Sequence, residues 1–145
     1  MKYFLGTDHA GMNARDFIVE YFAKNRIELI DLSPNIMQKV DYPDFAKKVC
    51  VQVLKNPDSR GILVCGSGIG MSIAANRFKG IRAGLCTDAY MAKMTRAHND
   101  ANILCMGERI SGLGEMESIL EAFIHTEFEG GRHYQRICKI EEMDQ

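Results

Sequence analysis

Two hydrophobic rhythms take turns along this chain. Short runs that are apolar almost throughout, KYFLGT (2–7), IELIDL (27–32), GILVC (61–65), IRAGLC (81–86) and NILCMG (102–107), read as strands. GILVC carries no polar side chain at all, as a strand covered on both faces requires. Between these runs, apolar residues recur every three or four positions. Phe17/Tyr21 and Ile18/Phe22 mark a helix over 13–25. SPNIMQKVDYP (33–43) is a loop, and Pro43 suits the first turn of the next helix, whose apolar face is Phe45, Val49 and Val53 with Ala46 and Cys50. NPDS (56–59) breaks it. Residues 70–78 read as a shorter helix, and DAYMAKMTRAHN as another behind Asp88, a residue suited to an N-cap.

Strands that alternate with helices imply βαβ units and a parallel sheet. Right-handed crossovers then make a three-layer α/β/α sandwich, Rossmann-like, with five strands. After the fifth strand, Met116, Ile119, Leu120, Phe123 and Ile124 form one more helix face. The chain then leaves the core through Gly130-Gly131, and Ile137, Ile140 and Met143 recur at spacing three in a last helix. That helix has no sheet left to cover, so it is expected to pack on a second copy, with 130–145 at the interface. Residues 1–145 form one domain of common size, without repeat or linker.

Composition narrows the function. The net charge is −1, which argues against a nucleic-acid binder, since those need a basic face. No apolar run nears the roughly 20 residues of a membrane span. The start, MKYFLGTDHAG, lacks a signal-peptide pattern because Asp8 and His9 interrupt it. Five cysteines occur with no CxxC pair and no zinc spacing, which points to a reducing compartment, the cytoplasm. Cys50, Cys86 and Cys105 read as small buried hydrophobes.

In an open α/β sheet, ligands bind beyond the carboxyl ends of the strands. The residues just past the strands are Thr7, Asp8 and His9 after the first, CGSGIG (65–70) after the third, CTDAY after the fourth, and Glu108 and Arg109 after the fifth. The loop from Gly66 through Ser67, Gly68 and Ile69 to Gly70 exposes backbone N–H groups next to a helix start, an anion cradle. Met71 stands where the dinucleotide fingerprint needs glycine and where a cysteine phosphatase needs arginine, and the P-loop lysine is missing. What remains is a thiol, Cys65, beside an oxyanion cradle. That pairing suits proton abstraction next to a carbonyl: N–H groups stabilise the enediolate oxygen, and the same field favours the thiolate. The competing reading of Cys65 is a core thiol at a strand end. RAHND places Arg96, His98, Asn99 and Asp100 at a helix end, where His98 also suits the helix dipole. RHYQR puts Arg132 and Arg136 on one helical face, either a phosphate clamp or a solvated basic face.

Taken in order, GTDHAG, DYPDFA, GILVCGSGIGMSIAANRFKGIRAG, RAHNDANIL, GERI and EGGRHYQRI resemble the type B ribose-5-phosphate isomerases, with their galactose-6-phosphate and allose-6-phosphate relatives. The match covers nearly the whole chain. The resemblance implies reversible isomerisation of ribose 5-phosphate and ribulose 5-phosphate through a cis-enediolate. It implies Cys65 as the base, the Gly66–Gly70 loop with Ser67 as the enediolate hole, and His98 as the acid/base of ring opening. Asp8 and His9 would bind the sugar and ring oxygen, and Tyr42 would wall the pocket. Asn99 and Arg109 would contact substrate, and Arg132 and Arg136 would hold the phosphate. A homodimer or tetramer is implied, with the site shared between subunits, so that His98, Asn99 and Arg109 serve the partner's Cys65. No metal and no organic cofactor are expected. One branch of the family uses a glutamate as base shortly after this loop. MSIAANRF offers no carboxylate, so the cysteine branch is the better match. Two rivals remain: an isomerase of a six-carbon sugar phosphate, to be told apart by the loops 33–43 and 66–70, and a non-catalytic sugar-phosphate-binding module.

Overall fold

The computed structural model describes residues 1–35 and 38–143; Ile36 and Met37 of the loop 33–43, and the last two residues of 130–145, lie outside the described residues. Five strands form one parallel sheet: β1 (Lys2–Thr7), β2 (Glu28–Asp31), β3 (Ser59–Cys65), β4 (Ala83–Leu85) and β5 (Ile103–Gly107). Among the described residues six α-helices surround it: α1 (Met12–Lys24), α2 (Tyr42–Lys55), α3 (Ile69–Ala75), α4 (Ala89–Ala97), α5 (Leu113–His125) and α6 (Arg132–Glu141). The strand order is β2-β1-β3-β5-β4. From β1 the chain steps outward to β2, crosses back to β3, passes on to the far edge at β4, and returns to insert β5 beside β3.

Right-handed crossovers in opposite directions put their helices on opposite faces. One core therefore packs Ala14, Ile18 and Phe22 of α1, Ala92 of α4 and Met116, Ile119, Leu120 and Phe123 of α5 against Leu5, Ile62 and Leu104. The other packs Phe45, Val49 and Val53 of α2 and Met71 and Ala75 of α3 against Phe4, Leu63 and Ile103. Cys50, Cys86 and Cys105 are buried free thiols, as expected. Burial pushes the first two up to about 12 and Cys105 well above the ordinary thiol value. Among the described residues no helix is long and apolar enough to cross a membrane.

Several element boundaries differ from the sequence reading by a residue or two, and the ends of two helices differ with a visible cause or consequence. The helix expected over 70–78 ends at Ala75. Asn76 stops it because its side chain donates to the Ala83 carbonyl at 3.0 Å and accepts from the Ala83 amide at 2.8 Å, tying the chain to the start of β4. The terminal helix ends at Glu141, so Met143 lies beyond it and is 72% exposed. Of its expected apolar edge, Ile137 is buried and Ile140 is half exposed.

Candidate active site

Thiol, glycine loop and sugar-binding candidates gather at the carboxyl edge of the sheet, over β1 and β3. This is where the order of the strands reverses and where a crevice forms in such folds. Cys65 is the last residue of β3 and is 5% exposed. Its Sγ accepts a hydrogen bond from the Gly68 N–H at 3.2 Å. Negative charge on sulfur is stabilised by that donation. Gly68 has φ +80°, and a Cβ there would meet the Met106 carbonyl carbon and oxygen at 2.8 and 2.9 Å. Only glycine lets the loop turn so tightly over the end of β5. Ser67 Oγ accepts from the Ile69 N–H at 3.2 Å, which fixes its hydroxyl at the start of α3, while the Ile69 side chain is exposed.

Asp8 directly follows β1. It is buried, its Oδ1 accepts from the Ala10 N–H at 2.9 Å, and its own N–H donates to the Val64 carbonyl at 3.3 Å. It is thereby pinned to β3 one residue before the thiol. His9 Nδ1 accepts from the Val40 N–H at 3.2 Å, which leaves the neutral ring's proton on Nε2 as a donor. Tyr42 opens α2, and a Cβ on Gly70 would fall 2.5 to 2.9 Å from its ring, so the phenol lies against the glycine loop.

Arg109 belongs to this same cluster. Its N–H donates to the Gly66 carbonyl at 3.0 Å, and its Nη1 lies 3.2 Å from where a Gly66 Cβ would stand. The sequence reading has Arg109 serve a partner's Cys65; here β5 ends beside β3, with Gly107 opposite Cys65, so the residues after β5 reach their own chain's loop. Glu108 is spent on the fold, accepting from the Ala14 N–H at 2.7 Å at the start of α1.

His98 and Asn99 lie at the other edge. A helix that returns the chain to a parallel strand ends at that strand's amino end, and both residues come after α4 and before β5. Ile103 pairs with Gly61, four residues before the Cys65–Gly107 pair, so about 13 Å of strand separates the two levels. Two arginines hold this turn. Arg82 donates to the carbonyls of Asn99 and Asp100, both at 2.9 Å, and pairs with Glu141 of α6. Arg96, singled out with His98 in the sequence, points into the core at 3% exposure, donating to the Ala101 carbonyl at 2.7 Å and to the Thr126 carbonyl at 3.2 Å. Beyond α5, the Glu129 N–H donates to the Ala97 carbonyl at 3.0 Å. Gly130 and Gly131, at φ +71° and +58°, then turn the chain into α6. Arg132 and Arg136 lie exposed on α6, on either side of the buried His133, whose ring stacks on that of His98. His133, Glu129 and Arg82 escaped the sequence reading. For His133 a signal existed, since it recurs with Ile137 at a spacing of four and the two are the buried residues of α6.

One chain therefore carries two separate groups of candidate residues. Cys65, its loop, Asp8, His9, Tyr42 and Arg109 occupy the carboxyl edge. His98, Asn99, Arg132 and Arg136 occupy the amino edge.

Comparison with known proteins identifies the family. A match to the Ribose/Galactose Isomerase family spans residues 3–140. The chain is 40% identical to ribose-5-phosphate isomerase B of Escherichia coli, covering 99% of this chain and 97% of that protein. It is similar to the solved ribose-5-phosphate isomerase B of Clostridium thermocellum, at 47% identity and TM-score 0.95 over 99% of this chain and 97% of the other. A Mycoplasma genitalium ribose-5-phosphate isomerase B solved with bound ribulose-5-phosphate is 39% identical with TM-score 0.94, over 97% and 94% of the two chains. A family match over nearly the whole length, together with these identities, places the chain in the ribose/galactose isomerase family.

Proposed function

We propose that the chain interconverts ribose 5-phosphate and ribulose 5-phosphate through a cis-enediolate. The observation that carries this reading is the Cys65 thiol, held at a strand end with the Gly68 N–H on its sulfur, inside a loop built to stabilise an oxyanion. The relative with ribulose-5-phosphate bound supports the choice of a five-carbon substrate.

In the first step the furanose opens. The His98 imidazolium gives its proton to the ring oxygen, and the bond from that oxygen to C1 breaks, its electron pair passing to the oxygen. The anomeric hydroxyl becomes the C1 carbonyl and its proton passes to the Asp8 carboxylate. Cys65 thiolate then takes the proton from C2. The electron pair left behind forms the C1–C2 double bond and places charge on O1, against the N–H groups of the 66–70 loop. Cys65 returns the proton to C1, while the proton on O2 moves to O1 beside the Ser67 hydroxyl, leaving the ketose. Tyr42 walls the sugar, and His9, Asn99 and Arg109 contact it. Arg132 and Arg136 hold the phosphate dianion, a task suited to paired guanidinium forks.

The separation of the two groups of residues supports an oligomer. His98, Asn99, Arg132 and Arg136 cannot meet Cys65 within one chain when a strand's length lies between them, so a second copy supplies them. The exposed apolar residues Ile73, Tyr90, Ile110 and Leu113 are consistent with a covered surface.

The test is turnover of ribose 5-phosphate by the wild-type protein in chelator, beside Cys65→Ala. The expected outcome is full turnover in the wild type and its collapse in the variant, with substrate binding retained. Unchanged turnover in Cys65→Ala removes the thiol from the chemistry. A wild type that binds sugar phosphates and converts neither pentose nor hexose phosphates is a binding module.

A further inference from the structure

Two imidazoles lie face to face at the amino edge. The rings of His98 and His133 stack with centroids 4.1 Å apart and planes 11° apart. Glu129 Oε1 stands 3.8 Å from Nε2 of His98 and 3.5 Å from Nε2 of His133. His133 is 5% exposed, and its Nε2 is buried with no hydrogen-bond partner among the described residues. A buried, unpartnered ring nitrogen is uncommon in a native fold and calls for a reason. An apolar side chain would fill the same place beside Ile137 without that cost.

The three groups are close enough to be considered as metal ligands. Ring geometry argues otherwise. An ion held by an imidazole lies in the ring plane, about 2.0–2.1 Å from its nitrogen. Two parallel rings stacked face to face have their in-plane positions in separate layers, so one ion cannot satisfy both. The stack suits a single shared charge instead. Two imidazolium rings at this separation repel, whereas one cation between a neutral ring and a carboxylate is stabilised. Burial holds His133 below the usual histidine value, and neighbouring His98 and Arg132 lower it further. The charged group that faces the pair is Glu129, from the segment before α6; the outward-facing Arg132 and Arg136 of α6 act on it only through their charge.

We propose that His133 is the positioning residue of ring opening: its neutral ring, stacked on His98 and fixed beside Glu129, holds the His98 imidazole in the plane from which it hands its proton to the ring oxygen. The inference rests on the role given to His98 above. His133 itself touches no substrate. Its neighbours Arg132 and Arg136 face outward while it faces in, so one helix turn carries both the phosphate grip and the support of the acid.

Two reactions separate this role from a structural one. Conversion of cyclic ribose 5-phosphate requires ring opening. Exchange of the C1 hydrogen of open-chain ribulose 5-phosphate with deuterium oxide requires no ring opening, only bound substrate with Cys65 and the loop. In His133→Gln, which removes the stacked ring, conversion is expected to fall about tenfold while exchange stays within about twofold of wild type. His133→Phe keeps a stacked ring of similar size and is expected to restore most of the conversion. Glu129→Gln removes the carboxylate facing the pair, and the high-pH limb of conversion is expected to move to lower pH. Wild-type conversion by His133→Gln overturns the proposal, as does an equal loss of conversion and exchange. Loss of wild-type conversion in chelator, restored by Zn²⁺, overturns it in favour of a metal. If the wild type itself shows no exchange, the isomerase reading fails, an outcome distinct from the failure of His133's role.

Discussion

Gly68→Ala puts a single methyl group where the loop crosses the end of β5. The native φ of +80° costs a non-glycine residue about 1–2 kcal/mol. The added Cβ would stand 2.7 Å from Leu85 Cδ1 and 2.8 and 2.9 Å from the carbonyl carbon and oxygen of Met106. Leu85 can swing aside, but Met106 is backbone in a strand paired on both sides, with β3 and β4. Overpacking of this kind costs about 1–3 kcal/mol. Together the terms give about 3 kcal/mol. A chain of this length has an unfolding entropy near ~0.3 kcal/mol per kelvin, so the midpoint should fall by about 10 °C. The alternative response is local: the loop lifts away, stability survives, and the Gly68 N–H leaves the sulfur of Cys65. Thermal unfolding at one fixed protein concentration, read together with turnover, distinguishes the two. Gly114→Ala is the control, because nothing lies within 4 Å of its added Cβ in α5, and a gain of about 0.4–1 kcal/mol is expected there. A Gly68→Ala protein with both the native midpoint and native turnover refutes the account of this loop.

Two further outcomes are expected from the fold. For a dimer that shares its sites as proposed, mixing inactive Cys65→Ala with inactive His98→Ala and allowing subunits to exchange should restore about one quarter of wild-type activity, since half the dimers would be mixed and each would have one intact site; a mixture that stays inactive after exchange refutes the division of the site between copies. The buried thiols Cys50, Cys86 and Cys105, raised above their ordinary value, should escape alkylation at pH 8 in the native protein, which peptide mass spectrometry reads directly. Because folding raises these values, their contribution to stability is complete below about pH 9 and is lost as pH climbs toward 12, so unfolding midpoints that hold steady over that range would contradict it.

Much of the fold was legible in the residues. Apolar runs marked all five strands, since a parallel sheet buried on both faces leaves little room for polar side chains. Helix starts were readable where chemistry marks them, as at Asp88, whose side chain accepts from the Met91 N–H at 2.8 Å. Helix ends were harder. Ala75 ends α3 because of a side-chain bridge to Ala83, which no local pattern reveals. The order of the strands was also hidden, because periodicity states which residues are buried and not which strand lies beside which. Most carboxyl-edge residues were within reach because they stand at or just past the end of a strand, as Asp8 does after β1 and the glycine loop after β3, whereas Tyr42, at the start of α2, came only from the family resemblance. The placement of Arg109 on its own chain's loop was not, since it depends on β5 lying beside β3. The His98–His133 stack joins positions far apart in sequence, and the buried face of α6 was its only trace.

The strand order also has a consequence for synthesis. β5 is the last strand made, yet it sits inside the sheet, between β3 and β4. Until it leaves the ribosome, β3 presents an open edge and the Cys65 loop has nothing beneath it, for Met106 and Gly107 form its floor. An unpaired apolar strand edge is a hazard for aggregation while a chain is being translated. The nascent protein therefore passes through a stage in which Cys65 has been made while its sheet is incomplete, and the strand that ends the hazard is the same one that floors the glycine loop.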